Sequence, residues 1–90
     1  MELRERRYYL QGRLEETRRE LEALDIKGTR CRGELNRLLN PFEPLIHVLK
    51  IIDLKAIEQT VRELKDAKEL YDAKLLEIKA LEKELGGIRG

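Results

Sequence analysis

The side chains able to do covalent chemistry in this chain are few. There is one cysteine, Cys31, one histidine, His47, and three threonines, Thr17, Thr29 and Thr60; serine does not occur. Nucleophilic catalysis needs a nucleophile against a base, and a thiol must be held near its thiolate form. Cys31 falls about two turns before the segment Asn40-Pro41-Phe42-Glu43-Pro44 and His47 just after it, so a reversal there would bring them near each other. The surrounding pattern points elsewhere. Cys31 continues an apolar series, where a small thiol packs well, and His47 falls on the polar side of its own segment. No catalytic residue is therefore expected, and the chain is read as non-enzymatic. One His and one Cys cannot supply a zinc tetrad. The Glu-x-x-His pattern of helical di-metal sites is missing, as is a glycine-rich phosphate loop. No metal and no cofactor is expected.

Charge carries more information. Nineteen Lys and Arg face eighteen Asp and Glu, a formal net charge of +1, which excludes both a polyanionic tail and a strongly basic nucleic-acid coat. The basic residues are unevenly spread: the first forty residues hold ten, nine of them Arg, while the second half uses mainly Lys. Lys27, Arg30, Arg32 and Arg37 gather near the proline segment. They are candidates for contact with an acidic helical partner or with a phosphate backbone, set against Asp25 and Glu34 in the same stretch.

These residues need elements to position them. Ala, Glu, Lys, Leu and Arg make up about 61% of the 90 residues, above the level that marks coiled coils and long helices. From Leu3 to Leu38 a four-three alternation runs without a slip through Arg7, Leu10, Leu14, Thr17, Leu21, Leu24, Gly28, Cys31 and Leu35. Such spacing puts these side chains on one helix face, and a strict seven-residue repeat implies supercoiling around a partner helix. One helix over about 2–39 is expected, continuous through Gly28 because the repeat keeps its phase there; a helix end at Lys27-Gly28 is the alternative. The prolines of 40–44 mark the reversal.

The segment Leu45–Ile52 is apolar except for His47 and Lys50. It reads as a short helix over about 44–52, buried on most of its circumference, that plugs the closed end of a hairpin or docks into a second subunit. The repeat resumes through Leu54, Ile57, Val61, Leu64, Lys68, Tyr71, Leu75, Ile78, Glu82 and Leu85. Its phase shifts near Asp53, where either a new helix is capped or one long helix bends. A helix over about 53–85 is expected, stopped by Gly86-Gly87, with 86–90 as a tail. Arg7 and Glu82 are expected to pair at the open end.

The fold class is thus all-α: one helical-hairpin domain over 1–90, two long coiled-coil-like helices joined by a proline turn and a short apolar helix. Apolar surface beyond what two helices can cover, at Ala67, Leu70 and Leu81, points to a homo-oligomeric bundle, with a dimer as first choice. The expected contact residues are Leu14, Leu21, Leu35, Leu45, Val48, Leu49, Ile52, Leu64, Leu70, Tyr71, Leu75 and Leu81. The function read from this is a coiled-coil protein–protein interaction module, a small oligomeric scaffold, adaptor or regulator within a larger assembly. A hairpin-dimer nucleic-acid binder is the alternative, and a small all-helical enzyme of the intertwined-dimer type a second one. No small-molecule substrate is expected. The charged start, Glu2-Leu3-Arg4-Glu5-Arg6-Arg7, lacks the apolar stretch of a secretory leader, no span of about 20 apolar residues occurs, and a single Cys suits a reducing compartment. A cytoplasmic protein without membrane contact is expected.

Overall fold

Thirty-seven residues with apolar or small side chains recurring every three or four positions form the first helix, α1, Leu3–Leu39. The computed structural model describes residues 2–89. Two further helices follow, α2 over Leu45–Leu49 and α3 over Leu54–Arg89, and α3 runs back along α1 as an antiparallel hairpin. The molecule measures 65 × 20 × 15 Å. No strand occurs among the described residues.

α1 is unbroken through Gly28, as its repeat implies. Gly12, Gly28 and Gly33 all keep negative φ. Its stop is the left-handed residue Asn40 at φ 44°, whose N–H bonds the Asn36 carbonyl at 2.9 Å. Asn tolerates this conformation better than any other residue with a side chain, and Pro41 cannot continue the ladder.

α2 is shorter than its composition suggests. It begins after Pro44 and ends at Leu49, with Lys50 and Ile51 in a turn and Asp53 outside any helix. Asp53 is committed to starting α3: its Oδ1 accepts the Ala56 N–H at 3.0 Å, a side-chain N-cap. The segment therefore holds two helices and not one bent one. Nor is α2 buried around its circumference. Val48 alone is buried, Ile52 is half-buried, and Leu45, Ile46, Leu49 and Ile51 face solvent. A helix of little more than one turn can bury only one side of itself, and Val48 is the residue it buries.

α3 does not stop at Gly86-Gly87 but continues to Arg89. Leu85 is buried and Ile88 half-buried against Leu10, Leu14 and Leu81, in the main apolar cluster of the molecule at its open end. Burying a Leu or Ile side chain is worth about 1.5–3 kcal/mol, enough to offset roughly 1 kcal/mol for each helical glycine.

The face that α3 turns to α1 is also rotated from the expected one. Thr60, Ala67 and Leu81 are buried, with Lys74 half-buried on the same line, while Val61 and Lys68 are exposed. The expected stripe would have placed Lys68 and Glu82 in the seam, and an unpaired buried charge is expensive. The rotation leaves Lys68 beside Asp72 at 2.6 Å and Glu82 beside Arg18 at 3.3 Å, both in water. Arg7 accordingly does not pair with Glu82. Two threonines enter the seam because each satisfies its own hydroxyl: Thr17 donates to the Arg13 carbonyl at 2.8 Å and Thr60 to the Ala56 carbonyl at 2.9 Å. Each methyl is then free to pack.

Candidate functional site

An antiparallel hairpin has two long edges where its helices meet, and here they differ in chemistry. One edge is closed by charge. Arg6 pairs with Glu84 at 2.7 Å, Arg13 with Glu77 at 2.7 Å, and Arg30 with Glu63 at 3.9 Å. Between them Lys74 bridges Glu20 and Glu77. These contacts link α1 to α3 at successive levels. The Lys74 ammonium holds the Glu20 carboxyl below its ordinary range, and Glu77 raises the already high value of Arg13.

The other edge is crossed towards the open end of the hairpin by one exposed pair, Arg18 with Glu82 at 3.3 Å, and is apolar and open along its middle. Its centre is a groove of about 430 Å³ lined chiefly by Leu24, Gly28 and Leu35 from α1 and Leu64, Ala67 and Tyr71 from α3. Gly28 leaves the floor low: a β-carbon built there meets nothing within 4 Å. Leu54, Val61, Leu64 and Tyr71 form an exposed ridge along α3, continuing the line on which Leu75 is half-buried. The polar member of the ridge is Lys68, whose ammonium lies 5.9 Å from the Tyr71 ring centre, a distance that supports a cation–π attraction.

Two more apolar patches sit at the ends. At the elbow, Phe42 is 97% and Ile51 81% exposed, joined by Leu45, Ile46 and Leu49. At the open end, Leu3, Tyr8 and Tyr9 are exposed, and Leu3, Arg7, Tyr8 and Ile88 border a recess of about 650 Å³. Isolated exposed apolar residues are ordinary, but contiguous patches mark contact surfaces.

The expected contact residues divide into three groups. Leu14, Val48 and Leu81 are buried inside the hairpin and are spent on its own core. Leu21, Leu35, Ile52 and Leu75 are half-buried. Leu45, Leu49, Leu64, Leu70 and Tyr71 are exposed, with Leu64 and Tyr71 on the open edge and Leu70 on the charged one. The sequence pattern missed Phe42, the most exposed residue of the elbow; Ile46 and Ile51 fall inside the Leu45–Ile52 segment it marked for docking but were not singled out. The readable signal of the elbow was Phe42 itself, held between Pro41 and Pro44 where the chain cannot fold it back.

The basic cluster is divided by the helix. Arg32 borders the apolar groove, whereas Lys27 and Arg30 border recesses on the charged edge. Arg37 is engaged with Glu34 at 2.5 Å, which lowers the Glu34 carboxyl. Cys31 and His47 are not brought together: the buried thiol faces Glu63 at 3.8 Å, and the exposed imidazole lies 3.7 Å from Glu43. Among the described residues no three His, Cys, Asp or Glu side chains gather as metal ligands would, and no helix is long and apolar enough to cross a membrane. The chain matches no protein-family model, no curated protein and no solved structure.

Proposed function

We propose that this chain is a non-enzymatic helical-hairpin interaction module, a small self-associating scaffold or adaptor whose contact surface is the open apolar edge between α1 and α3. The observation that carries this is the asymmetry of the two edges. One is crossed by ion pairs at level after level; the other is crossed by the single exposed pair Arg18–Glu82 and otherwise presents exposed Val61 and, lining a groove with Gly28 at its floor, Leu64 and Tyr71. Shape supports the same reading. The chain exposes 7378 Å², where a compact protein of its mass exposes about 5,500 Å². Its radius of gyration is 20.0 Å, against about 12 Å for a compact chain of this length. The placement of Arg32 on the opposite edge from Arg30 and Lys27 gives a phosphate backbone no single basic face to follow, which favours a protein partner.

If the edge is an interface, folding and association are linked, and the melting temperature rises with protein concentration. The expected result is such a rise for the natural chain. Val61→Glu, which puts a charge on the open edge, should abolish it. Ile26→Glu, on the outer face of α1 where Ile26 is 72% exposed, should leave it intact. Melting that is independent of concentration in all three would refute the proposal.

A further inference from the structure

Taking the open edge as an interaction surface, we propose that its occupant is a second copy of this chain, laid antiparallel about a two-fold axis that crosses α3 near Glu69 and Leu70. The pattern on α3 is self-complementary about that point. Reversing the helix brings Leu64 level with Leu75 of the second copy and Val61 level with its Ile78. Lys68 comes level with Tyr71 of the second copy, so the cation–π contact at 5.9 Å within one chain has an equivalent between chains. Two apolar pairs, Val61 with Ile78 and Leu64 with Leu75, thus lie on either side of the central Lys68–Tyr71 pair, and each recurs across the axis as an isologous interface requires.

The flanking charges select the same orientation. Beside the ridge, away from α1, α3 carries Glu58, Lys65, Asp72 and Lys79 at seven-residue intervals. In the antiparallel arrangement Lys65 comes within two residues, about 3 Å, of the level of Asp72, and Glu58 of Lys79. In a parallel arrangement each would face its own kind. Such flanking charges set partner choice and direction in coiled coils. On the α1 side, Asp25 comes level with its own copy, a like-charge encounter that the α3 pairs must outweigh.

The same axis disposes of the two end patches. It carries the elbow of one copy over the open end of the other, so that Phe42 and Ile51 approach the recess bordered by Leu3 and Tyr8. One operation covers three separate apolar surfaces. The surface available is sufficient: the excess of 7378 Å² over a compact chain is about 1,900 Å², and a standard interface buries about 800 Å² per partner.

Thiol cross-linking reads the register directly. Lys68→Cys places two thiols three residues apart in level, roughly 4.5 Å along the axis, and Val61→Cys places them about 26 Å apart. With a short bifunctional maleimide, Lys68→Cys should give a covalent dimer in high yield and Val61→Cys should not; the natural chain, its one thiol buried, is the blank. Light scattering on the same samples gives the mass before reaction. Equal cross-linking at both positions would indicate a parallel pair, and a dimer that cross-links at neither would place the contact elsewhere. Either overturns this arrangement while leaving the interaction module standing. A folded monomer before reaction overturns both.

Discussion

Thr17 is fully buried, at 0% exposure, in a position where a leucine repeat would call for a large side chain. Its hydroxyl is satisfied within its own helix turn, so the cost of a buried polar atom is avoided. The same economy governs the charged edge. Glu20 and Glu34 are held below the ordinary glutamate value near 4.5 by hydrogen bonds from Lys74 and Arg37. A carboxyl whose folded value is depressed contributes stability that is complete above its unfolded value and is lost as pH falls through the folded one. The melting temperature should therefore hold steady from neutral pH to about pH 5 and then fall below the 4.5 region. Glu20→Gln should melt lower at pH 7 and show a smaller fall on acidification. Thermal melts across a pH series check this; equal acid sensitivity in the variant would show that Lys74 does not hold Glu20 in solution.

Two single residues define where the helices end. Asn40 stops α1 in the left-handed conformation, and Asp53 starts α3 through its carboxylate. Asn40→Ala and Asp53→Ala should each cost about 1 kcal/mol, while Asp53→Asn should cost little because it keeps the cap acceptor. Gly33→Ala, where an added β-carbon meets nothing within 4 Å, should stabilise by about 0.5–1 kcal/mol. Urea unfolding of the four variants measures all of these, and a destabilised Gly33→Ala would mean that α1 is not helical there. At this scale the sequence was largely legible. The phase of α1 was readable because its apolar positions are unambiguous: Leu10, Leu14, Thr17 and Cys31 are buried on the expected stripe. The phase of α3 was not, because it carries apolar residues on two adjacent lines, Val61 and Leu75 on one, Ala67 and Leu81 on the other. Which line faces α1 depends on pairing Glu20 with Lys74 and Arg13 with Glu77, contacts between residues more than fifty positions apart. The helical Gly86-Gly87 was hidden for the same reason, since the stop signal is local and Ile88 packs on a cluster from the other end of the chain.

The whole molecule is a hairpin with too little interior for its length. Among the described residues seven hydrophobic side chains are buried, and two of these, Cys31 and Ala67, are small. Cys31 is the single cysteine of the chain, so no disulfide forms within it. Association is a common supplement to a core this small, and under the proposed reading the open edge, the elbow and the recess at the far end are the surfaces it would use. The surplus of apolar residues was readable, but of the three that marked it Ala67 and Leu81 are buried within the hairpin and only Leu70 is exposed. The location of the open edge was not readable, because it follows from the rotation of α3. The most direct measurement is the absolute mass of the natural chain in solution, by light scattering behind a sizing column. The account predicts a single species at about twice 10.6 kDa that keeps its helicity on dilution to low micromolar concentration. A stable, fully helical species at 10.6 kDa would contradict it, since the hairpin would then need nothing on its open edge.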